Sequence, residues 1–222
     1  MDWSGVLRGL LFFLPAYVAN MSPPLVAKVL PRWSAPIDGG RMHKDGRRLL
    51  GAGKTWRGLV GGAVAGAATA LAVAAVAPPY DHAGIFAGWD YGKHGFMRTP
   101  GGSVNAVLLD GGASDSSSWL GIGLFGAALG LFALVGDAVK SYFKRRLGKE
   151  GGAPWVPFDQ LDFVAFGLAA AFAFQWLLVP GWVQAALLRD PLVLATIILL
   201  TPALHFLVNV VGYWLKLKEV PW

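Results

Sequence analysis

The sequence contains no cysteine, which excludes disulfides and thiolate metal sites and leaves its redox compartment open. Charge is scarce too: 14% of the 222 residues are Asp, Glu, Lys or Arg, where a soluble domain carries about 25%. That shortage, beside 55% hydrophobic residues and a mean hydropathy of +0.51, points to an integral membrane protein. The charges present are unbalanced, 19 Lys and Arg against 13 Asp and Glu, for a net +6. In a membrane protein such an excess matches orientation and anionic lipid headgroups, so membrane lipids are expected neighbours and no nucleic-acid partner is expected.

A bilayer span takes roughly 20 apolar residues, and five stretches qualify: about 5–30, 58–77, 119–147, 163–179 and 191–214. The expected fold is an all-α integral membrane protein, a single transmembrane catalytic domain over 1–222. The first stretch lacks a basic leader before its apolar start and more spans follow it, so it reads as a retained helix rather than a secretory signal. Pro15, Pro23 and Pro24 are expected to kink or break it, with Asn20 and Ser22 between them. Polar groups at that depth must face protein or a water-filled cavity; an interhelical hydrogen bond and a substrate contact suit Asn20 equally well. The second stretch is almost wholly Gly, Ala and Val, and Gly62–Gly66, like Gly126–Gly130 in the third, has the spacing that lets helices approach closely. In the fifth, Thr201, His205 and Asn209 fall four apart and should turn a polar stripe into the bundle.

Lys and Arg counts orient the chain. Segment 31–57 holds seven, 136–162 five and 215–222 two, against two in 78–118, one in 180–190 and one in 1–10, fourteen against four. The N-terminus is expected outside and the C-terminus in the cytosol, with two cytosolic motif loops, 31–57 and 148–162, and an external loop, 78–118. His82, Asp90, His94 and Asp110 lie in that outer loop at spacings of eight, four and sixteen, which fit no helical or hairpin ligand pattern, so it reads as a solvated loop. Its short run Val104 to Leu109 is the one part apolar enough to dip into the interface.

The two cytosolic stretches hold the chemistry. The first reads Asp38-Gly39-Gly40-Arg41, then Asp45-Gly46-Arg47-Arg48, then Gly51-Ala52-Gly53-Lys54-Thr55-Trp56-Arg57-Gly58. Glycines let backbone amides approach phosphate oxygens, while Lys54 and Thr55 add a cation and a hydroxyl. The G-x-G-K-T string is not a Walker A loop, because its glycines stand only two apart and no strand precedes them. In the second stretch a helix continued past Gly136 places Asp137, Lys140, Ser141 and Lys144 on one face. Asp159 and Asp162, three apart at a helix start, share a face as well. A generic basic surface would explain the bases but not the acids among them. Three acids among several bases fit a hard cation such as Mg²⁺ held together with a polyphosphate.

These strings resemble the CDP-archaeol synthase family, archaeal relatives of the phosphatidate cytidylyltransferases. The matching segments are 15–24, 38–41, 45–58, 136–148 and 154–163, about a third of the chain and all in order; 78–118 lies outside the resemblance. Lys54, Thr55, Trp56 and Gly58 keep one motif of the wider cytidylyltransferases, with Arg57 where they carry an acid. Asp137 keeps a second, and Asp159 and Asp162 a third, with Gln160 in place of an arginine. The resemblance implies that CTP and an unsaturated isoprenoid ether-lipid phosphate, digeranylgeranylglyceryl phosphate, give CDP-archaeol and pyrophosphate. It implies a multi-pass protein of the plasma membrane with Mg²⁺ on Asp137, Asp159 and Asp162, Lys140 in the catalytic set, and Lys54, Arg57 and Lys144 on the phosphates. Asn20, Asp38 and Thr55 complete the expected substrate contacts. The kinked first helix and thin second helix are expected to open a lateral path for the isoprenoid chains. A CDP-alcohol phosphotransferase is the rival enzyme, but its D-G-x2-A-R string is missing; a small transporter is the rival of another class, but no inverted repeat is seen.

Overall fold

The structure is a computed structural model that describes residues 4–76, 115–149, 153, 155, 158–178, 183, 187–188 and 191–217, with backbone only at 4 and 115–119. Each apolar run forms one helix: α1 (Ser4–Val29), α2 (Trp56–Val76), α3 (Asp115–Arg146), α4 (Phe158–Leu178) and α5 (Pro191–Trp214). All five are long and apolar enough to cross a membrane, and no strand occurs among the described residues. Residues 78–114, with His82, Asp90, His94, Asp110 and the run 104–109, lie outside them.

The fourth and first helices bear on the site. Helix α4 begins at Phe158, before the apolar span expected from about 163, and Asp159 lies in its first turn as the helix-start reading required. Helix α1 is not broken by its prolines: it runs unbroken from Ser4 to Val29 through Pro15, Pro23 and Pro24. Proline at 23 cannot donate to the carbonyl four residues back, and the Ser22 hydroxyl donates to that carbonyl, Ala19 O, at 2.8 Å. The local side chain supplies the bond that the backbone lost.

Helix α2 packs between α1 and α3, α4 continues from α3, and α5 closes against α1 and α4. Lipid tails are as apolar as leucine, so small residues and close packing hold such helices together. A Cβ on Gly130 would stand 2.5 Å from Gly62 O and 3.0 Å from Ala19 Cβ, and one on Gly66 would stand 3.1 Å from Gly130 Cα. Aromatic edges fill the wider gaps: Phe12–Phe125 at 5.7 Å and Phe125–Phe174 at 5.4 Å between centroids. The polar stripe of α5 does turn inward. Thr201 is fully buried with its hydroxyl 2.7 Å from that of Tyr17, and Asn209 Nδ2 lies 3.3 Å from His205 Nδ1.

Around Gly61 the first two helices pack too closely to leave a path between them. A Cβ on Gly61 would stand 2.6 Å from Val26 Cγ2, which leaves no room for a chain between α1 and α2. A cavity of about 370 Å³ opens instead between α1 and α5, lined by Tyr17, Asn20, Met21, Phe163, His205 and Asn209 among others.

Candidate active site

The segment from 31 to 55 is folded by its own side chains. Gly39, Gly40 and Gly46 take positive φ and turn it, and Ile37 N donates to Lys54 O at 2.9 Å to bring its two ends together. Asp38 is its keystone: its carboxylate accepts from Gly40 N (2.9 Å), Leu50 N (3.0 Å) and Arg48 Nη2 (3.1 Å), with the side chain 2% exposed. Burial alone would raise the Asp38 pKa, but the amides of Gly40 and Leu50 and the Arg48 guanidinium outweigh it and hold the carboxyl below its ordinary 3.8. A depressed carboxyl pKa contributes stability above its unfolded value and loses it as pH falls through the folded one. Asp38→Asn should therefore lower the thermal midpoint at neutral pH, and the gap from wild type should narrow as pH falls below the ordinary carboxylate range; a gap that stays the same at every pH would refute the assignment.

The loop docks on the end of α3. Arg146 donates to Asp45 Oδ2 (2.8 Å) and Arg48 O (2.7 Å), Arg47 Nη1 donates to Arg145 O (3.3 Å), and Gly51 N donates to the buried Ser141 Oγ at 3.1 Å. Next to that last bond, Lys54 N donates to Gly51 O at 3.0 Å, and the turn delivers the Lys54 ammonium onto Asp137 Oδ2. Ser141 was legible as part of the α3 face; its role as the loop's anchor was not, because its partner lies 90 positions away.

Around Asp137 the acids and bases interlock. Lys140 Nζ lies 3.0 Å from Asp137 Oδ1, 3.3 Å from Asp159 Oδ1 and 3.0 Å from Asp162 Oδ2. Lys144 Nζ donates to both oxygens of Asp159 at 3.1 Å, and Trp155 N donates to Asp159 Oδ2 at 2.6 Å. Gly136 makes this meeting possible, since a Cβ there would stand 2.9 Å from both Asp162 O and Phe166 Cβ. A larger residue would push the first turns of α4 away from Asp137. The cage is largely closed to solvent: the side chains of Asp137, Asp159 and Asp162 are 22%, 17% and 8% exposed.

Of the ten residues singled out in the sequence, six thus meet: Lys54, Asp137, Lys140, Lys144, Asp159 and Asp162. The other four make their contacts outside that cluster. Asp38 holds the loop together. Thr55 caps α2, its Oγ1 accepting from Gly58 N at 3.3 Å. Arg57 Nη1 donates to Leu30 O (2.8 Å) and Pro31 O (3.0 Å), tying the start of α2 to the end of α1. Asn20 lines the α1–α5 cavity.

Whether the cage suits a divalent cation is answered by its donor set. Three carboxylates converge, and Asp162 Oδ1 is buried with no hydrogen-bond donor. An orphaned buried carboxylate oxygen is costly without a cation, and an all-oxygen set suits Mg²⁺. The acids are not closed into a finished metal shell among the described residues, because the Lys140 ammonium stands between them. The donor chemistry suits a hard cation, and Lys140 fills the space between the three carboxylates.

Five membrane-length helices with a carboxylate–lysine cage under a glycine- and base-rich loop are the frame of a membrane-embedded nucleotidyltransferase. The Cytidylyltransferase family matches residues 50–152, which include Lys54, Asp137, Lys140 and Lys144; the CDP-archaeol synthase model matches 4–83 and 102–222. The chain belongs to the CDP-archaeol synthase family. It is 37% identical to the CDP-archaeol synthase of Methanopyrus kandleri (99% of this chain, 95% of that one) and 39% identical to that of Methanosphaerula palustris (94% and 99%). A solved structure described as an intramembrane enzyme for archaeal membrane lipid biosynthesis is similar at a TM-score of 0.54 and 29% identity, covering 90% of this chain and 94% of that one. The phosphotransferase and transporter readings fall with that membership. The protein is a cytidylyltransferase of lipid biosynthesis that uses CTP to form CDP-archaeol.

Proposed function

We propose that the cage of Asp137, Asp159, Asp162, Lys54, Lys140 and Lys144 is the catalytic centre of this reaction, and that the lipid substrate is 2,3-di-O-geranylgeranylglyceryl phosphate. The observation behind this reading is the convergence of three acids from α3 and α4 on one ammonium, with Lys54 brought in by the loop. The lipid phosphate is already anionic, so its oxygen attacks the α-phosphorus of CTP in line and pyrophosphate leaves; no covalent nucleophile is needed. Lys54, Lys140 and Lys144 stabilise the phosphate oxygens and the leaving pyrophosphate. Mg²⁺ held by Asp137, Asp159 and Asp162 supplies further neutralisation of those oxygens when bound. The apolar α1–α5 cavity, whose Phe163 adjoins Asp162 in sequence, takes the isoprenoid chains. The Lys and Arg imbalance, fourteen against four, supports placing this centre on the cytosolic face of the plasma membrane.

Purified protein given labelled CTP, the lipid phosphate and Mg²⁺ should move label into the lipid phase, and chelation should stop it. Label that stays in water under all conditions would refute the assignment. Lys54→Ala should raise the KM for CTP roughly tenfold or more, the scale expected for loss of one charge-assisted phosphate contact; unchanged kinetics would remove Lys54 from the site.

A further inference from the structure

Lys140 stands where a phosphate-binding lysine has no need to stand. Its ammonium lies within 3.3 Å of carboxylate oxygens from three residues on two helices. Lys54 and Lys144 differ from it, since among the described residues each pairs with one acid, Asp137 and Asp159 respectively. Lys140 is held there by its surroundings, its side chain 14% exposed, beside an Asp162 that is 8% exposed and keeps an oxygen without a hydrogen-bond donor. The three lysines match the three acids in charge, so the cage is balanced by itself. A divalent cation added alone would crowd two further positive charges against Lys140 in a partly desolvated site. A cation arriving with a triphosphate brings the anion to which a displaced ammonium can turn.

We propose that Lys140 is an exchangeable counter-ion: it holds the acids together before substrate binds, and gives way to the divalent cation only when the nucleotide phosphates are there to receive it. Metal and CTP therefore bind with strong positive coupling, and neither acid helix is left with uncompensated charge between turnovers. The same residue acts twice, first as a plug against metal and then as a phosphate ligand. This inference rests on the cage being the metal and nucleotide site.

The test measures Mn²⁺ binding to purified protein with no nucleotide present, which reads the plug without any turnover. Wild type should bind Mn²⁺ weakly, Lys140→Arg likewise, and Lys140→Gln at least about tenfold more tightly, within the usual span of a coupling between two sites. Wild type should become a stoichiometric Mn²⁺ binder when CTP is added. That arm needs no variant and stands even where Lys140→Gln does not fold. Equal Mn²⁺ affinity of wild type and Lys140→Gln overturns the plug while leaving the metal site standing, as does tight binding by wild type alone. Absence of Mn²⁺ binding in every form, with CTP present, takes the site reading down with it.

Discussion

Asp137→Asn lowers kcat by about 10³-fold in protein that still folds, the scale seen when a group aimed at transferring charge is removed. The substitution keeps the size of the side chain and an oxygen to accept from lysine, and removes only the charge. Asp137 is the one acid that meets both the loop, through Lys54, and the α3 lysine, through Lys140 at 3.0 Å. Without its charge two ammonium groups face each other with less to hold them, so nucleotide phosphates and cation lose their common anchor. Asp159→Asn and Asp162→Asn act on the same cage from α4 and should each cost a similar factor. Asp45→Asn is the internal control, since Asp45 pairs with Arg146 at the exposed rim of the loop and such pairs contribute little; its kcat should stay within about threefold of wild type. Steady-state kinetics in detergent, with thermal unfolding as the check on folding, reads all four. Full Mg²⁺-dependent turnover in the three cage variants would end the metal assignment.

The second large effect is on stability. Gly126→Ala should lower the unfolding free energy by about 2 kcal/mol or more, because an added methyl meets rigid structure and not a side chain that can swing aside. At Gly126 a Cβ would run into Gly66 O and come within 2.5 Å of Ala70 Cβ, so α2 and α3 would have to separate along their length. Gly123, one turn earlier on α3, is the matched comparison. A Cβ there meets only Leu71 side-chain carbons at 3.7 to 3.9 Å, an ordinary contact. Gly123→Ala should be neutral or stabilise by up to about 1 kcal/mol through helix propensity. Equal behaviour of the two variants in thermal unfolding would show that close approach of α2 and α3 does not govern the bundle.

How far a sequence reading reaches can be judged residue by residue. Asp137, Lys140, Ser141 and Lys144 were legible as one face because helical spacing is a local property. Of the kink or break expected in α1, the break does not occur, because Ser22 supplies a bond to Ala19 O that Pro23 cannot make, and proline counts alone do not reveal that. Thr55 and Arg57 looked like phosphate ligands by residue type. In the structure their hydrogen-bond partners, Gly58 N and the carbonyls of Leu30 and Pro31, lie at the junction of loop and helices, and residue type alone does not reveal those contacts.

By itself the sequence determined the five spans, the separation of basic and apolar stretches, and the presence of three acids beside a basic cluster. Each of these follows from hydropathy and spacing summed over neighbouring residues. Only the tertiary structure decided that Lys140 stands among all three acids, that Lys54 reaches Asp137 across 83 positions, and that the cavity opens between α1 and α5. The physical reason is range: a charge pair acts over a few ångströms, and which charges come that close depends on how tightly glycine-faced helices pack, not on any one segment.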